Sequence, residues 1–386
     1  MALNNNKINQ QTFYDLGMWL SFPNKHTNAQ LARLQDEDKR LPLVTLANNY
    51  WLIGALAHSL KNSTVWSTLD PELITYLLEL EQFYLQRSQS IKDEAIFACQ
   101  LLVDANIKVV MLKGGANMFS GVASPISTRF MTDIDLLIPE QQYQRANDVL
   151  MAHGYEENQD EHAMPATEHH HASALYRHNG ACCIELHRWV LKQSVSDVLA
   201  TEDVWQQAIP LQLTAALQVL QLTASHQVIL SIAHSELSNT GYEDKHFDLR
   251  QLINLVEITN FYQSEVNWAT VKQHFIRCNK LQPFNALLYA AMRITNLHTP
   301  LNIEYDKPAK QHFLECLAQF EQRQGLTSKF NHFTKLLKEY KRDSIFVAYG
   351  RNGHMPLTKG RLKHLKRHFL MAIKPKYLQR WLKRFK

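Results

Sequence analysis

The chain has 386 residues, enough for two or three packed units, and its 45% hydrophobic and 20% charged residues are ordinary for a soluble globular protein. Five cysteines, two of them adjacent (Cys182 and Cys183), make no paired framework; this excludes a disulfide scaffold and fits a reduced, cytoplasmic protein. The formal charge of +5 comes from the end of the chain, where residues 359–386 carry 11 Lys and Arg and no Asp or Glu; without them the balance of 41 basic to 36 acidic residues reverses.

Residues 1–11 are polar and lack the apolar run of a secretion signal. The stretch from Leu41 to Leu60 is apolar but is broken by Asn48, Asn49 and His58, which argues against a membrane span. Apolar segments at Phe13–Leu20 and Tyr50–Leu60 read as helices, and a long helix is predicted from Pro71 to Asn106, with Asp70 as its cap and Pro71 at its first position. Leu77, Leu80, Phe83, Tyr84, Ile91, Ala95, Ala98 and Leu102 share one face of it at helical spacing.

The period then changes. Val109–Leu112 and Ile134–Ile138 read as strands, with a helix over Gln141–His153. Ala172–Tyr176 and Cys182–His187 flank an Asn-Gly at Asn179 and Gly180, the strongest short hairpin signal. Beyond Pro210 helices are predicted again, at Leu211–His234, Asp248–Asn260, Val266–Cys278, Pro283–Leu297, Ala309–Gln324 and Phe330–Lys341. The organisation expected is a helical region over 1–105, an α+β core with a small mixed sheet over 106–192, a helical domain over 193–300, and a C-terminal helical region over 301–386 ending in the basic segment.

The chemistry concentrates between Val109 and Ile138. Asp133 and Asp135 stand two apart on a strand, so their side chains share a face while Ile134 and Leu136 turn to the core. Two carboxylates held side by side repel unless a cation sits between them, and Mg²⁺ is the usual hard ion at such oxygens. By the same repulsion, Asp135→Asn is expected to raise the melting temperature of the metal-free protein slightly. Gly114 and Gly115, after the first strand, would let the backbone approach a phosphate closely, and Lys113 and Arg129 carry the charge to neutralise it. Asp248 and Arg250 read as the start of a helix, with Asp248 its cap.

Gly-Gly followed by Asp-x-Asp on a strand resembles the nucleotidyltransferase fold of DNA polymerase beta and the aminoglycoside nucleotidyltransferases. Leu112-Lys113-Gly114, Arg129 ahead of Asp133, and Ile184-Glu185-Leu186-His187-Arg188-Trp189 look most like the bacterial uncharacterised nucleotidyltransferases, over about residues 70–260. The resemblance implies a small mixed-sheet nucleotidyltransferase core in a mostly helical protein. It implies Asp133, Asp135 and Glu185 as metal ligands and catalytic carboxylates, with two Mg²⁺ ions or Mn²⁺ in their place, an NTP substrate cradled by Lys113, Gly114, Gly115 and Arg129, and an unidentified acceptor. Many members are met beside surface-polysaccharide or peptide-modification genes, which favours a sugar-phosphate or surface-glycan acceptor over a protein target of the toxin kind. A non-catalytic nucleotide-binding scaffold is opposed by the intact carboxylates. The loop from Gly115 to Asp133 is longer than the superfamily norm, and Glu185 stands where Asp is commoner.

His162, His169, His170, His171, His178 and His187 crowd one region, but no His-Glu-x-x-His or Cys-x-x-Cys pattern accompanies them, which argues against a zinc hydrolase. His170 and His187 are candidates for acceptor contact or for a hydrogen bond that orients a metal-binding carboxylate. In the basic segment, Leu362, Leu365, Phe369 and Ile373 share one side and Tyr377, Leu378, Trp381 and Phe385 another. That pattern suits an anionic membrane surface, at the inner face of the membrane, a protein partner, or equally a helical hairpin packed on the chain's own acidic body; nucleic acid is disfavoured, since no nucleic-acid module accompanies the charge.

Overall fold

A computed structural model describes residues 8–157, 174–295 and 297–322. The helix expected at 330–341, the basic segment 359–386 and His162, His169, His170 and His171 lie outside the described residues.

Four helices, α1 (Gln10–Ser21), α2 (Asn28–Gln35), α3 (Glu37–Asn49) and α4 (Ile53–Lys61), precede the long α5 (Pro71–Asp104). As expected, Asp70 caps α5, its side chain accepting from the Glu72 amide at 2.8 Å. Leu77, Tyr84, Ile91, Ala95, Ala98 and Leu102 are buried along it, whereas Phe83, placed on the same face by spacing, is 53% exposed. The chain then builds β1 (Val110–Met111), α6 (Lys113–Ser120), β2 (Asp133–Leu137), α7 (Tyr143–Ala152), β3 (Tyr155–Glu157), β4 (Leu175–Arg177) and β5 (Cys183–His187). After α8 (Thr201–Gln207) come β6 (Ile209–Gln212) and β7 (Gln218–Gln221), then α9 (Ala224–Ala233), α10 (Leu249–Tyr262), α11 (Trp268–Arg277), α12 (Leu281–Ile294) and α13 (Lys307–Gln322).

The strands form one mixed sheet in the order β3-β4-β5-β2-β1-β7-β6, and the fold is α+β. β5 runs parallel to β2, which places Glu185 directly opposite Asp135, and β7 runs parallel to β1. Alternation then sorts the two faces. Ile134, Leu136, Ile184 and Leu186 pack with Ile91, Ala95 and Leu102 of α5 and with Tyr143 and Leu150 of α7, while Leu137 joins the larger helical core with Leu230, Leu252 and Leu255. Asp135, Glu185 and His187 are on the second face, between sheet and helices.

The expectation of a single helix over Leu211–His234 is corrected. Residues 209–221 form a hairpin, and only Ala224–Ala233 is α-helical. In β7, buried Val219 and Gln221 alternate with less buried Gln218 and Leu220, a period of two, and the Thr214 hydroxyl accepts from the amides of Ala216 and Leu217 to close the turn. The sheet therefore continues past Lys192, where the catalytic core was expected to end. A buried carboxylate ties the β3–β4 edge to α5: Glu94 accepts from Tyr155 Oη at 2.5 Å and from Arg177 Nε and Nη2 at 3.1 and 2.6 Å. The Asn-Gly hairpin forms as read, with Asn179 at φ +63° and the Gly180 amide donating to Arg177 O. None of the five cysteines is in a disulfide.

Candidate active site

Asp133, Asp135 and Glu185 line one cavity of about 390 Å³, bounded by the sheet, α6, α9 and α10. Strand period puts Asp133 and Asp135 on the same face, and the parallel register of β5 brings Glu185 to it. Asp135 is 4% exposed. Its Oδ1 accepts from Lys113 Nζ and from His187 Nε2, both at 2.7 Å. His187 is fully buried, and its Nε2 also lies 3.7 Å from Glu185 Oε2. Asp133, which accepts from the Thr132 hydroxyl at 3.3 Å, is the most open of the strand pair.

Leu112 alone separates β1 from α6, and Lys113 opens the helix with φ +48°. A non-glycine residue in this left-handed region carries strain of order 1–3 kcal/mol, sustained by its surroundings. Gly114 and Gly115, expected as a phosphate-cradling turn, are instead in the first turn of α6 and divide in role. Gly114 lines the cavity, and a Cβ there would lie 2.4 Å from Met131 Sδ and 2.9 Å from Arg129 Nε. Gly115 faces the sheet, where a Cβ would meet Met111 at 3.1 Å and Ile134 at 3.5 Å, so its missing side chain serves close packing of helix on strand.

Arg129 belongs to the long loop before β2, which three side chains pin. Arg87 donates to Met131 O, Ser88 to Arg129 O, and Arg250 to Phe130 O. The Arg129 guanidinium bonds Asn254 Oδ1 at 2.5 Å and lies 3.8 Å from Glu257. Asn254 also accepts from Asn117 and donates to Ser231, so one buried polar chain links α6, α9 and α10 along the cavity wall.

Several lining residues escaped the sequence reading: Asn117, Lys192, Ser231, His234 and Asn254. Arg250 lines the cavity as well, although Asp248 does cap α10 as read, accepting from the Arg250 amide at 3.0 Å. A signal for them was present. Gln227 and Ser231 of α9 and His234 just after it recur at helical spacing, and Arg250 and Asn254 do the same on α10. Polar stripes at helical spacing between buried residues mark a wetted internal wall.

Charge states follow from burial and neighbours. Burial pushes the Asp135 carboxyl up, but Lys113 and His187 outweigh it and hold the group well below the usual carboxylate range. Asp133 is raised, by burial and then by repulsion from Asp135 and Glu185. Burial works against the charged forms of Lys113 and His187, yet their bonds to Asp135 leave both raised. Away from the carboxylates burial wins: His234 falls to about 3, Arg129 to about 10, and Lys192 is lowered by burial and by Lys113.

Donor atoms of Asp135, Glu185 and His187 lie within 4.8 Å of one another, a group able to hold a divalent ion, with Asp133 beside it in the same cavity. Two carboxylates and an imidazole accept Mg²⁺ and also softer ions such as Mn²⁺. Lys113, Arg129, Lys192 and Arg250 line the same cavity as this cluster, a set of charges that could take a polyanion together with a metal. The model of the uncharacterised nucleotidyltransferase family matches residues 37–296, more than half of the chain and all of the site. The chain belongs to that family. No curated protein and no solved structure matches this nucleotidyltransferase. As a nucleotidyltransferase it is an enzyme that takes an NTP substrate, and such enzymes generally work with divalent metal. Among its described residues, no helix is long and apolar enough to cross a membrane.

Proposed function

We propose that the enzyme moves an NMP from Mg²⁺-bound NTP to a hydroxyl of a sugar-phosphate or surface-glycan intermediate. The observation that carries this reading is the convergence of Asp133, Asp135 and Glu185 in one cavity that Lys113, Arg129, Lys192 and Arg250 also line. Asp133, Asp135 and Glu185 would hold the metal, with His187 either orienting Asp135 or joining the ligands. Bound Mg²⁺, or Mn²⁺ in its place, lowers the pKa of an acceptor hydroxyl and neutralises triphosphate charge.

The chain's own residues do the rest. Lys113, Arg129, Lys192 and Arg250 take the phosphates, and Gly114 lets Arg129 lie against the start of α6. Leu222, Leu230 and Ile258 add apolar surface to the lining, suited to a nucleobase. The acceptor oxygen bonds to the α-phosphorus, the bond to the β-phosphate oxygen breaks, and pyrophosphate leaves with the electron pair while the acceptor's proton passes to solvent. We place the reaction in the cytoplasm. The basic amphipathic segment from Arg361 to Phe385 supports docking at an anionic membrane surface, where lipid-linked glycan intermediates are met.

The test is incubation of pure protein with each α-labelled NTP, Mg²⁺ and a cell extract. Label should move to a non-protein acceptor with wild type and not with Asp135→Asn. Absence of both NTP binding and transfer in wild type would end the reading, and label on a polypeptide would turn it toward protein modification.

A further inference from the structure

Asp135 Oδ1 receives two donors at 2.7 Å, Lys113 Nζ and His187 Nε2. A carboxylate oxygen so occupied leaves little room for a cation to approach it, so one donor must withdraw before this atom can ligate a metal. The two donors differ in freedom. His187 is fully buried on β5, its backbone paired opposite Leu137, and its ring has nowhere to go. Lys113 carries its ammonium on a flexible four-carbon stem, and its side chain is 22% exposed at the cavity. Around the ammonium stand the carboxylates of Asp133 and Glu185 as well as Asp135, so in this structure its single positive charge is attracted by all three.

We propose that Lys113 is a built-in counter-cation that competes with a divalent metal for Asp135 Oδ1, and that it must withdraw for the metal to load. His187 stays, and keeps the carboxylate oriented throughout. Like charges cannot share one small site, so the ammonium and the metal exclude each other there. The inference rests on the reading of this cluster as a metal site. On the further reading that the substrate is a triphosphate, the displaced ammonium finds its partner in the phosphates within the same cavity. Metal and nucleotide then bind with positive coupling, each removing the obstacle to the other.

The experiment measures Mn²⁺ affinity from the paramagnetic signal of the free ion, on wild type, Lys113→Met and Lys113→Gln, each checked for folding by circular dichroism. Without nucleotide, Lys113→Met should bind Mn²⁺ tighter by about tenfold or more. Lys113→Gln keeps a donor for Asp135 without its charge, should gain less, and serves if the methionine variant does not fold. Affinity unchanged or weakened in both variants would overturn the proposal, because it would make Lys113 a support for the metal site rather than a competitor. A non-hydrolysable α,β-methylene NTP should tighten Mn²⁺ binding in wild type and do so less in the variants. Should no protein bind that nucleotide while Lys113→Met still gains Mn²⁺, nucleotidyl transfer is refuted and the competition stands.

Discussion

Replacing Asp135 by Asn keeps shape and removes one charge. Repulsion between neighbouring carboxylates, judged from sequence, makes this a mildly stabilising change for the metal-free protein. The structure reverses the sign, because Asp135 is 4% exposed and two donors at 2.7 Å share its Oδ1. Removing one partner of a buried ion pair costs about 3–5 kcal/mol, chiefly by stranding the other. Lys113 is 22% exposed and is attracted by Glu185 and Asp133 too, so part of this is recovered, leaving a loss of about 2–3 kcal/mol. In a compact unit of this size that lowers the melting temperature by about 4–6 °C. Because the folded carboxyl sits below its unfolded value, the stabilisation is present above the unfolded pKa near 3.8 and is lost as pH falls through the folded one. The gap between wild type and variant should therefore be full at pH 7, begin to narrow below about pH 4 and go on narrowing as pH falls toward the much lower folded value. Differential scanning calorimetry in EDTA across that range reads it. A variant that melts at or above wild type at pH 7 would refute the reasoning.

Glu236, 3% exposed in the turn after α9 with Asp248 nearby, has its carboxyl raised by burial to about 8, so wild type loses stability as pH rises from about 4.5 through 8. Glu236→Gln should out-melt wild type by about 2–4 kcal/mol at pH 8 and by little at pH 5; parallel melting curves against pH would show the burial argument wrong. Gly114→Ala drives a methyl into Met131 and Arg129, whereas Gly115→Ala meets only Met111 and Ile134. Both should cost about 1–3 kcal/mol in denaturant melts, but only Gly114→Ala should also weaken NTP binding, by about tenfold; equal affinities would deny Arg129 its place at the phosphates. Glu94→Gln breaks the pair with Arg177 and should cost about 2–3 kcal/mol, with hydrogen exchange accelerated first in the β3–β4 edge; acceleration elsewhere would mean that Glu94 is not its tether.

Much of the site was legible because it lies in short stretches whose period is unambiguous. Asp133 and Asp135 share a strand face by alternation alone, and the Asn-Gly at 179–180 announced the hairpin that carries Glu185. The cap of α5 at Asp70 and of α10 at Asp248 are local hydrogen bonds, and they formed where the residue types placed them. Residues 209–221 misled because an apolar run of that length satisfies helix and strand alike, and only pairing with β1 decided for strand.

What the sequence by itself determined was therefore the shared face of the carboxylate pair, the strand that bears it and the family to which the chain belongs. Register, packing and charge were decided by the tertiary structure. That β5 is parallel to β2 with Glu185 opposite Asp135, that Gly115 is a packing residue while Gly114 borders the cavity, and that Lys192, His234, Arg250 and Asn254 arrive from distant segments are matters of three-dimensional neighbourhood. The charge state of Asp135 shows why. Two carboxylates close in sequence predict repulsion, but the free energy of a buried charge depends on every group within a few ångströms, and here an ammonium from the start of α6 and an imidazole from β5 set its sign.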